Sequence, residues 1–384
     1  MIGPPETRTP AVPRAAEFFA GIGLVRRALE SGGVRVVFAN DIDATKKTLY
    51  VRNFGSDEFL LGDVRTVTGD DVPDIEIATA SFPCVDLSLA GHRRGLAGEE
   101  SGMFWEFARV LAEMERRKPS VILLENVPSF ATSHGGNDLR AALKRLNGLG
   151  YSCDLFVANA RWFVPQSRPR LFIVGGKCPV GSTAGSERTA LRPEWLHRFI
   201  ERNADVRFDL GALPLPPHRL GVLADVIERL PGDDSRWWEP ERVARFVASL
   251  SEVQAQRLAR LRLSERQTCA TAYRRTRGGR AVWEIRADEI AGCLRTARGG
   301  SSKQAIVAAG LGEINIRWMT PREYARLQGV PDFRLDGVTA NQALFGLGDA
   351  VCVPVVEWIT QICVLPRLGR TSACETAARD AAVV

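Results

Sequence analysis

The chain has 384 residues, of which 45% are hydrophobic and 25% charged, and its formal net charge is +6. These values are typical of an ordinary soluble globular protein with about two domains. Residues 1–14 lack the apolar core of a secretory signal, and no apolar run reaches the roughly 18 residues of a membrane span. We therefore expect a cytoplasmic location and no membrane partner.

The N-terminal half alternates apolar strand patterns with helical spacing. Strands are predicted at "AAEFF", "VRVVFANDID", "DIEIATASFP", "SVILLENVPSF" and "RLFIVGG", with helices such as "MFWEFARVLAEMERR" between them. This alternation predicts an α/β fold with a doubly wound, mostly parallel sheet.

The alternation fades after Gly176, where loop-like and proline-rich stretches begin. We place a domain boundary near residue 177. Helical patterns return at "TPREYARLQG" and at "DAVCVPVVEWITQICVL". The N-terminal arm and the tail after Pro366 are expected to be loosely ordered.

A turn in the first unit carries Gly21 and Gly23 between a strand and a helix. Such glycines let the backbone approach a ligand at a helix N-terminus, although Arg26 stands where a dinucleotide motif has its third glycine. Asp41 and Asp63 end the next two strands. The glycine turn and these two acids are therefore expected along one edge of the sheet, in an arrangement suited to a nucleoside. The alternative is a tight turn with two acids that cap helices.

Cys84 follows the strand before "SFPCVDLS" and therefore lies at the same carboxyl edge, on a turn stiffened by Pro83. Free cysteines are usually inert core residues, but the position of Cys84 favours a nucleophile. The next segment, 89–102, contains four glycines and is typical of a mobile loop.

Glu125 also follows an apolar strand, and an acid there can hold a proton for a substrate if its pKa is raised. Arg168 and Arg170 stand two apart on an extended segment, so both side chains are expected on one face. There they are suited to a phosphate, a base oxygen or a carboxylate.

The charge is concentrated in one block. From Gln256 to Lys303 there are twelve Lys and Arg against four Asp and Glu, a net of +8, so the rest of the chain sums to −2. Such a block indicates a polyanion partner, and the alternative is a solvated arginine-rich face.

The eight cysteines are spread singly without a CxxC pair, and the four histidines do not cluster. This pattern predicts free thiols in a reducing compartment. It does not predict a metal site or a disulfide framework.

The blocks "FAGIG", "SFPCVDLS", "ENVPSF", "QSRPR", "RTARGG" and "GDAV" follow one another in this order. Together they resemble the DNA (cytosine-5) methyltransferases over most of Glu17 to about Ile362. The resemblance implies a Rossmann-like S-adenosylmethionine-dependent methyltransferase sheet with a second, smaller DNA-recognition domain. The implied division is a catalytic domain at 15–176, a target-recognition domain at 177–339 and a returning C-terminal helix at 340–366.

The implied activity is methyl transfer from S-adenosyl-L-methionine to C5 of a flipped-out cytosine in sequence-specific duplex DNA. Cys84 matches the family's nucleophile, which forms a covalent bond to C6, and Glu125 matches the glutamate that contacts N3 and the amino group. Arg168 and, less directly, Arg170 match the arginines beside the pyrimidine.

The remaining family residues divide between cofactor and DNA. Those implied for the cofactor are Phe19, Ala20, Gly21, Ile22, Gly23, Asp41, Ile42, Asp63, Val64, Pro83, Asp349, Ala350 and Val351. Those expected at the DNA are Ser88, Arg93, Arg94, Arg274, Arg275, Arg277 and Arg295, the last matching an arginine that supports the small domain.

Two residues depart from the family pattern. Val85 stands where glutamine is common, and Asp349 where asparagine is common. Val85 lacks the amide of glutamine, so contacts to DNA near the target are expected to differ. Neither change removes a group that methyl transfer needs.

The resemblance also implies partners. Double-stranded DNA is the expected substrate, bound by a monomer, with a cognate restriction endonuclease as a candidate partner. Two alternatives remain open at this point: an RNA (tRNA) cytosine-5 methyltransferase on the same fold, and a non-catalytic nucleic-acid-binding relative.

Overall fold

A computed structural model describes residues 12–83, 96, 98, 102–179, 187–217, 221–296, 303–371 and 373, without the side chains of residues 277, 280 and 281. Five residues singled out above lie outside this part of the chain: Cys84, Val85, Ser88, Arg93 and Arg94. The expectations for residues 1–11 and 374–384 also fall outside it.

Seven strands form the larger sheet: β1 (Arg14–Phe18), β2 (Arg35–Asp41), β3 (Phe59–Leu61), β4 (Ile77–Ala80), β5 (Val121–Asn126), β6 (Ser152–Asn159) and β7 (Pro169–Gly176). Their order is β3-β2-β1-β4-β5-β7-β6. Neighbours pair in parallel except at β7, which is antiparallel to both β5 and β6. This arrangement confirms the predicted doubly wound, mostly parallel sheet.

Eleven α-helices occur in the described residues: α1 (Leu24–Ser31), α2 (Ala44–Phe54), α3 (Met103–Glu113), α4 (Asn137–Gly148), α5 (Glu194–Arg202), α6 (Leu223–Val226), α7 (Pro240–Ala248), α8 (Glu252–Arg262), α9 (Pro321–Leu327), α10 (Ala340–Asp349) and α11 (Val353–Ile359). Apolar residues of α1, α2, α9, α10 and α11 share one core of the larger sheet, and those of α3, α4 and α5 share the other. Successive strand residues alternate between the two cores, as Ile122 and Leu123 do.

A second sheet contains β8 (Thr268–Arg277), β9 (Arg280–Ile285), β10 (Gln304–Gly310) and β11 (Glu313–Trp318) in the antiparallel order β11-β10-β8-β9. Gly278 and Gly279 join β8 to β9 with φ of +52° and +76°. Positive φ at both residues is the geometry of a tight two-residue hairpin. Residues of α7 and α8 pack on this sheet around Trp238, Trp283 and Trp318.

Both ends of the predicted segment 177–339 pack against the larger sheet. Leu196 and Phe199 of α5 lie in the core with α3 and α4, and Tyr324 of α9 lies in the core with α1. The backbone at Asp209 donates to the carbonyl of Cys153 in β6. The boundary expected at 177 is therefore too early, because the amphipathic α5 is hidden among loop-like, proline-rich stretches.

The tail predicted to be loose after Pro366 is helical through residue 371. Arg367 is buried there and pairs with Asp154 of β6 at 2.9 Å. A buried ion pair holds the last turns in place, so this expectation is wrong. The helical stretch 340–371 is long and apolar enough to cross a membrane, but 67% of its most apolar window is buried in the fold, as in a core helix.

The cysteines are not all free. Cys153, Cys269, Cys293, Cys352 and Cys363 are free thiols, whereas Cys178 is disulfide-bonded. Among the described residues, no group of three or more histidine, cysteine, aspartate or glutamate side chains is placed to hold a metal ion.

Candidate functional site

The glycine loop after β1 has left-handed backbone geometry at three positions. The φ angles of Phe19, Gly21 and Gly23 are +56°, +58° and +84°. A Cβ added at Gly23 would lie 2.5 Å from the ring of Phe54, so only glycine fits. The loop leads into the N-terminus of α1, where the N-cap Gly23 has no side chain and Glu17 accepts from the N–H of Arg26. The N–H groups of Leu24 and Val25 have no side-chain cap in the described residues and remain available to a ligand.

Asp41 holds this loop in shape. One carboxylate oxygen accepts from the N–H of Gly21 at 2.8 Å, and the other accepts from the N–H of Asp43 at 2.9 Å. The cap of α2 is Asp43, which accepts from the N–H groups of Thr45 and Lys46. Asp41 therefore bridges the loop and does not cap a helix.

Asp63 does act as a cap, because its side chain accepts from the N–H of Arg65 at the start of the 3-10 helix Val64–Thr66. Hydrogen bonds from Arg65 lower the pKa of Asp63. Ile42 is 67% exposed beside Asp41, whereas Val64 is buried. Ile42 is thus an exposed apolar side chain close to acids, which is suited to packing against the adenine ring of an adenosine.

Glu17 in β1 was missed by the sequence argument. It is buried, one carboxylate oxygen accepts from the N–H of Arg26 at 3.3 Å, and the other has no partner among the described residues. Burial raises its pKa to about 8. The signal in the sequence is an acid inside an apolar strand directly before the glycine loop.

The end of α10 forms a further wall. A Cβ added at Gly346 would lie 2.7 Å from Ile22 of the glycine loop. Asp349 pairs with Lys46 of α2 at 2.9 Å. Ala350 follows, and Val351 is buried in the core. The glycine loop, Asp41 and the end of α10 therefore lie close together at the carboxyl edge of the sheet, and we call the space that they border the glycine-loop recess.

A second group of side chains follows β4 and β5. Glu125 and Arg170 form an ion pair of 2.8 Å, and both are mostly buried. Asn126 donates to the carbonyl of Phe82 at 3.1 Å. The ring of Phe82 is buried, so the backbone two residues before Cys84 is fixed beside Glu125.

Arg168 does not take the substrate-facing position expected of it. Its guanidinium is buried and donates to the carbonyls of Leu294 at 2.7 Å, Gly348 at 3.2 Å and Ala350 at 2.6 Å. These bonds join the segment before residue 297 to the end of α10. Arg168 thus connects two backbone segments, and Arg170 is the arginine that pairs with Glu125.

Cys293 is the second residue that sequence reasoning missed. Its sulfur lies 3.5 Å from Nη1 of Arg168 and 3.8 Å from Nη1 of Arg170, so both side chains do share a face. Burial alone would raise the pKa of Cys293, but the charges of Arg170 and Arg168 outweigh burial and lower it. The arginines were recognised in the sequence, but their thiol neighbour lies 123 residues from Arg170.

The basic block does not act as one surface. Arg274 and Arg275 are adjacent on β8 and point to opposite faces. Arg275 pairs with Glu284 at 3.1 Å, and the side chain of Arg277 lies outside the described part. Arg295 is exposed, and its carbonyl would lie 2.3 Å from a Cβ at Gly348.

Three comparisons identify relatives of the chain. A family profile described as C-5 cytosine-specific DNA methylase matches residues 14–364. The chain is 28% identical to the Type II methyltransferase M.Bsp6I of Bacillus sp. (strain RFL6), over 90% of this chain and 96% of that protein. It is 29% identical to the Type II methyltransferase M.NlaX of Neisseria lactamica, over 90% and 94%.

Among solved structures, the S. pombe Dnmt2 methyltransferase superimposes with a TM-score of 0.61 at 18% identity, over 92% of this chain and 99% of that chain. A putative DNA modification methyltransferase encoded within a prophage in E. coli superimposes with a TM-score of 0.55 at 17% identity, over 90% and 97%. At these identities the likeness is one of fold.

Proposed function

Because the chain belongs to the C-5 cytosine-specific DNA methylase family, we propose that it transfers a methyl group from S-adenosylmethionine to C5 of a cytosine flipped out of duplex DNA. The observation that carries the proposal is the Glu125–Arg170 pair at the end of β5, next to the anchored start of the Cys84 loop and to the glycine-loop recess.

Cys84 is the proposed nucleophile. Cytosine C5 is weakly nucleophilic, and bond formation between the Cys84 sulfur and C6 turns the ring into an enamine that reacts at C5. Loss of the C5 proton to a base then lets the thiolate leave, which restores the aromatic ring. Covalent catalysis of this kind divides one difficult step into easier ones.

Glu125 and Arg170 are proposed to bind the flipped base. Glu125 is proposed to contact N3 and the amino group of the base, and general acid help at such a position is worth ~10²–10⁴-fold. Arg170 is held at 2.8 Å from Glu125 and is proposed to contact the base beside it. Arg168 keeps the pocket assembled through its backbone contacts.

We propose that the glycine-loop recess holds the cofactor. In this proposal Asp41 accepts from the ribose hydroxyls, Ile42 and Asp63 contact the adenine, and the N–H groups at the start of α1 donate to the carboxylate of the methionine part. When bound, the cofactor supplies an electrophilic methyl group. The family assignment and the recess support S-adenosylmethionine over other nucleosides.

Duplex DNA is the proposed substrate, because the curated relatives are Type II methyltransferases. Flipping the base costs roughly a few kcal/mol, and the second sheet with its basic residues is proposed to hold the duplex during that step. We further propose that the protein acts as a cytoplasmic monomer in a restriction-modification pair.

The test measures transfer of a tritiated methyl group to duplex DNA and, separately, to tRNA. We expect label on DNA cytosine, and Cys84→Ser should abolish transfer while S-adenosylmethionine affinity stays within a few-fold. Duplexes with 5-fluorocytosine should trap a covalent adduct, since fluorine does not leave as a proton. Transfer to tRNA alone, or turnover without an adduct, would refute the proposal.

A further inference from the structure

Three arginines of the second domain lie together, and none is in an ion pair in the described part of the chain. Arg242 and Arg245 are one turn apart on α7, and Arg274 is on β8. No Asp or Glu oxygen in the described part of the chain lies within ion-pair distance of any of them. We call these three residues the arginine cluster.

The charges in the arginine cluster act on one another. The pKa of Arg242 is lowered, first by burial and then by the like charges of Arg245 and Arg274. Like charges held together in the free protein destabilise the fold unless an anion is bound. Such a local conflict marks a functional feature more often than a packing need.

Tryptophan rings fix two of the three guanidinium groups. Arg242 lies 4.0 Å from the ring centroid of Trp238 and 5.1 Å from that of Trp318, and Arg274 lies 6.0 Å from Trp283. The rings of Trp238 and Trp283 are themselves 5.7 Å apart. Cation–π contacts of this kind hold an arginine in place while leaving its N–H edges free.

A cavity of about 550 Å³ opens beside the arginine cluster. Arg242, Arg245 and Trp238 line it, and the buried indole N–H of Trp238 has no acceptor among the described residues. Glu239 and Glu241 stand at its exposed rim, and Arg236 there is already paired with Asp234. The wall formed by Arg242, Arg245 and Trp238 thus offers donors that lack acceptors.

We propose that the arginine cluster and Trp238 form a binding site for backbone phosphates of the substrate duplex. Phosphodiester oxygens accept from guanidinium and indole N–H groups, and their charge relieves the repulsion within the cluster. Fixed arginines position a duplex without reading its sequence. The proposal rests on the proposed function for the identity of the anion as DNA. Two of its three arginines, Arg242 and Arg245, lie outside the basic block 256–303.

The test compares Arg242→Ala, Arg245→Ala and Arg274→Ala with Arg260→Ala, an exposed arginine of α8 for which no acid partner is seen in the described residues. Affinity for a cognate and a scrambled duplex is measured by fluorescence anisotropy at several salt concentrations. Each cluster variant should bind both duplexes about three- to tenfold more weakly near 0.1 M salt. The salt slope should fall by about one for each phosphate that the variant no longer neutralises.

Arg260→Ala should bind like the parent protein. Circular dichroism melts and S-adenosylmethionine affinity, measured by calorimetry, check that each cluster variant is folded, and both should match the parent. Arg242→Lys keeps the charge and should retain the salt slope.

Cluster variants that bind DNA like Arg260→Ala, or that weaken binding to tRNA and not to DNA, would overturn the proposed site. The two proposals fail separately. A parent protein that binds duplex DNA through the cluster but transfers no methyl group contradicts the proposed function alone, whereas normal methylation with unchanged salt slopes contradicts the phosphate site alone.

Discussion

Arginines in the two domains have different surroundings. In the larger domain, Arg192 and Arg367 are buried and share the carboxylate of Asp154 at 2.6 Å and 2.9 Å. The arginine cluster of the second domain has tryptophan rings beside it and no ion pair to an acid in the described residues. Formal charge is the same in both places, so the partner decides whether an arginine stabilises the fold or remains available to bind.

The basic block illustrates the same difference within one segment. Arg262 donates to the carbonyl of Gly312, and Arg286 pairs with Asp288. Arg257 donates to the carbonyl of Ile285. A net charge of +8 therefore overstates what this segment offers to a polyanion, and Arg242 and Arg245 outside it add to the binding face.

The largest effect is expected when a buried arginine loses its acid. Asp154→Ala removes the acid partner of Arg192 and one of two acids near Arg367, which keeps Asp209 at 3.6 Å. It should lower the free energy of unfolding by about 3–5 kcal/mol in urea titrations. Asp205→Ala is the matched control, because its carboxylate also bridges two cations, Arg140 and Lys144, but at the surface. The control should lose about 1 kcal/mol or less, and equal losses would contradict the comparison.

Cys293 shows how arginines affect the reactivity of a neighbouring thiol. Because Arg170 and Arg168 lower the pKa of Cys293, iodoacetamide at pH 7 should label it more than about tenfold faster than Cys153 or Cys352, whose pKa burial raises to about 12. Peptide mass spectrometry separates these sites. Arg170→Gln should slow labelling of Cys293 at pH 7, and an unchanged rate would show that the arginine charge does not set its reactivity.

Glu17 is the acidic counterpart, a buried carboxylate with one oxygen that lacks a partner in the described residues. Its folded pKa is about 8 and its usual value 4.5, so between these pH values the unfolded chain has lost the proton and the folded chain keeps it. Stability therefore falls as pH rises from 4.5 to 8. Glu17→Gln should exceed the parent in stability by about 1 kcal/mol or more at about pH 8, with a smaller gain at about pH 5. A gain independent of pH would contradict the assignment.

The Lys46–Asp349 pair joins α2 to the end of α10 at a partly exposed position. A double-mutant cycle with Lys46→Met and Asp349→Asn should give a coupling energy of about 0.2–1 kcal/mol in urea unfolding. A coupling energy near zero would show that Asp349 gains no stability from Lys46. The pair would then not explain why aspartate stands where the family commonly has asparagine.

The smallest effect on stability is expected in the arginine cluster itself. Arg245→Ala removes an exposed cation for which the described residues show no acid partner, and it relieves repulsion on Arg242. Its free energy of unfolding should stay within about 0.5 kcal/mol of the parent value. A decrease as large as that of Asp154→Ala would mean that the cluster serves the fold.

The sequence predicted what local patterns encode. Strand and helix alternation indicated the larger sheet, glycines indicated the loop before α1, and acids at strand ends indicated Asp41. The sequence did not predict that Arg168 donates to backbone carbonyls, because these acceptors lie 126 to 182 residues away along the chain. Cys293 and the arginine cluster were missed for the same reason, since tertiary packing alone brings their neighbours together.

The packing of the C-terminal stretch has a consequence for synthesis on the ribosome. The core around α1 is completed by residues of α11 and by Cys363 and Val364, and Asp154 receives Arg367 from 213 residues further along the chain. A nascent chain that has made all seven strands of the larger sheet still lacks α9, α10 and α11, so part of one of its two apolar faces is uncovered. We expect that part to depend on chaperones until α11 and the residues through Arg367 have emerged.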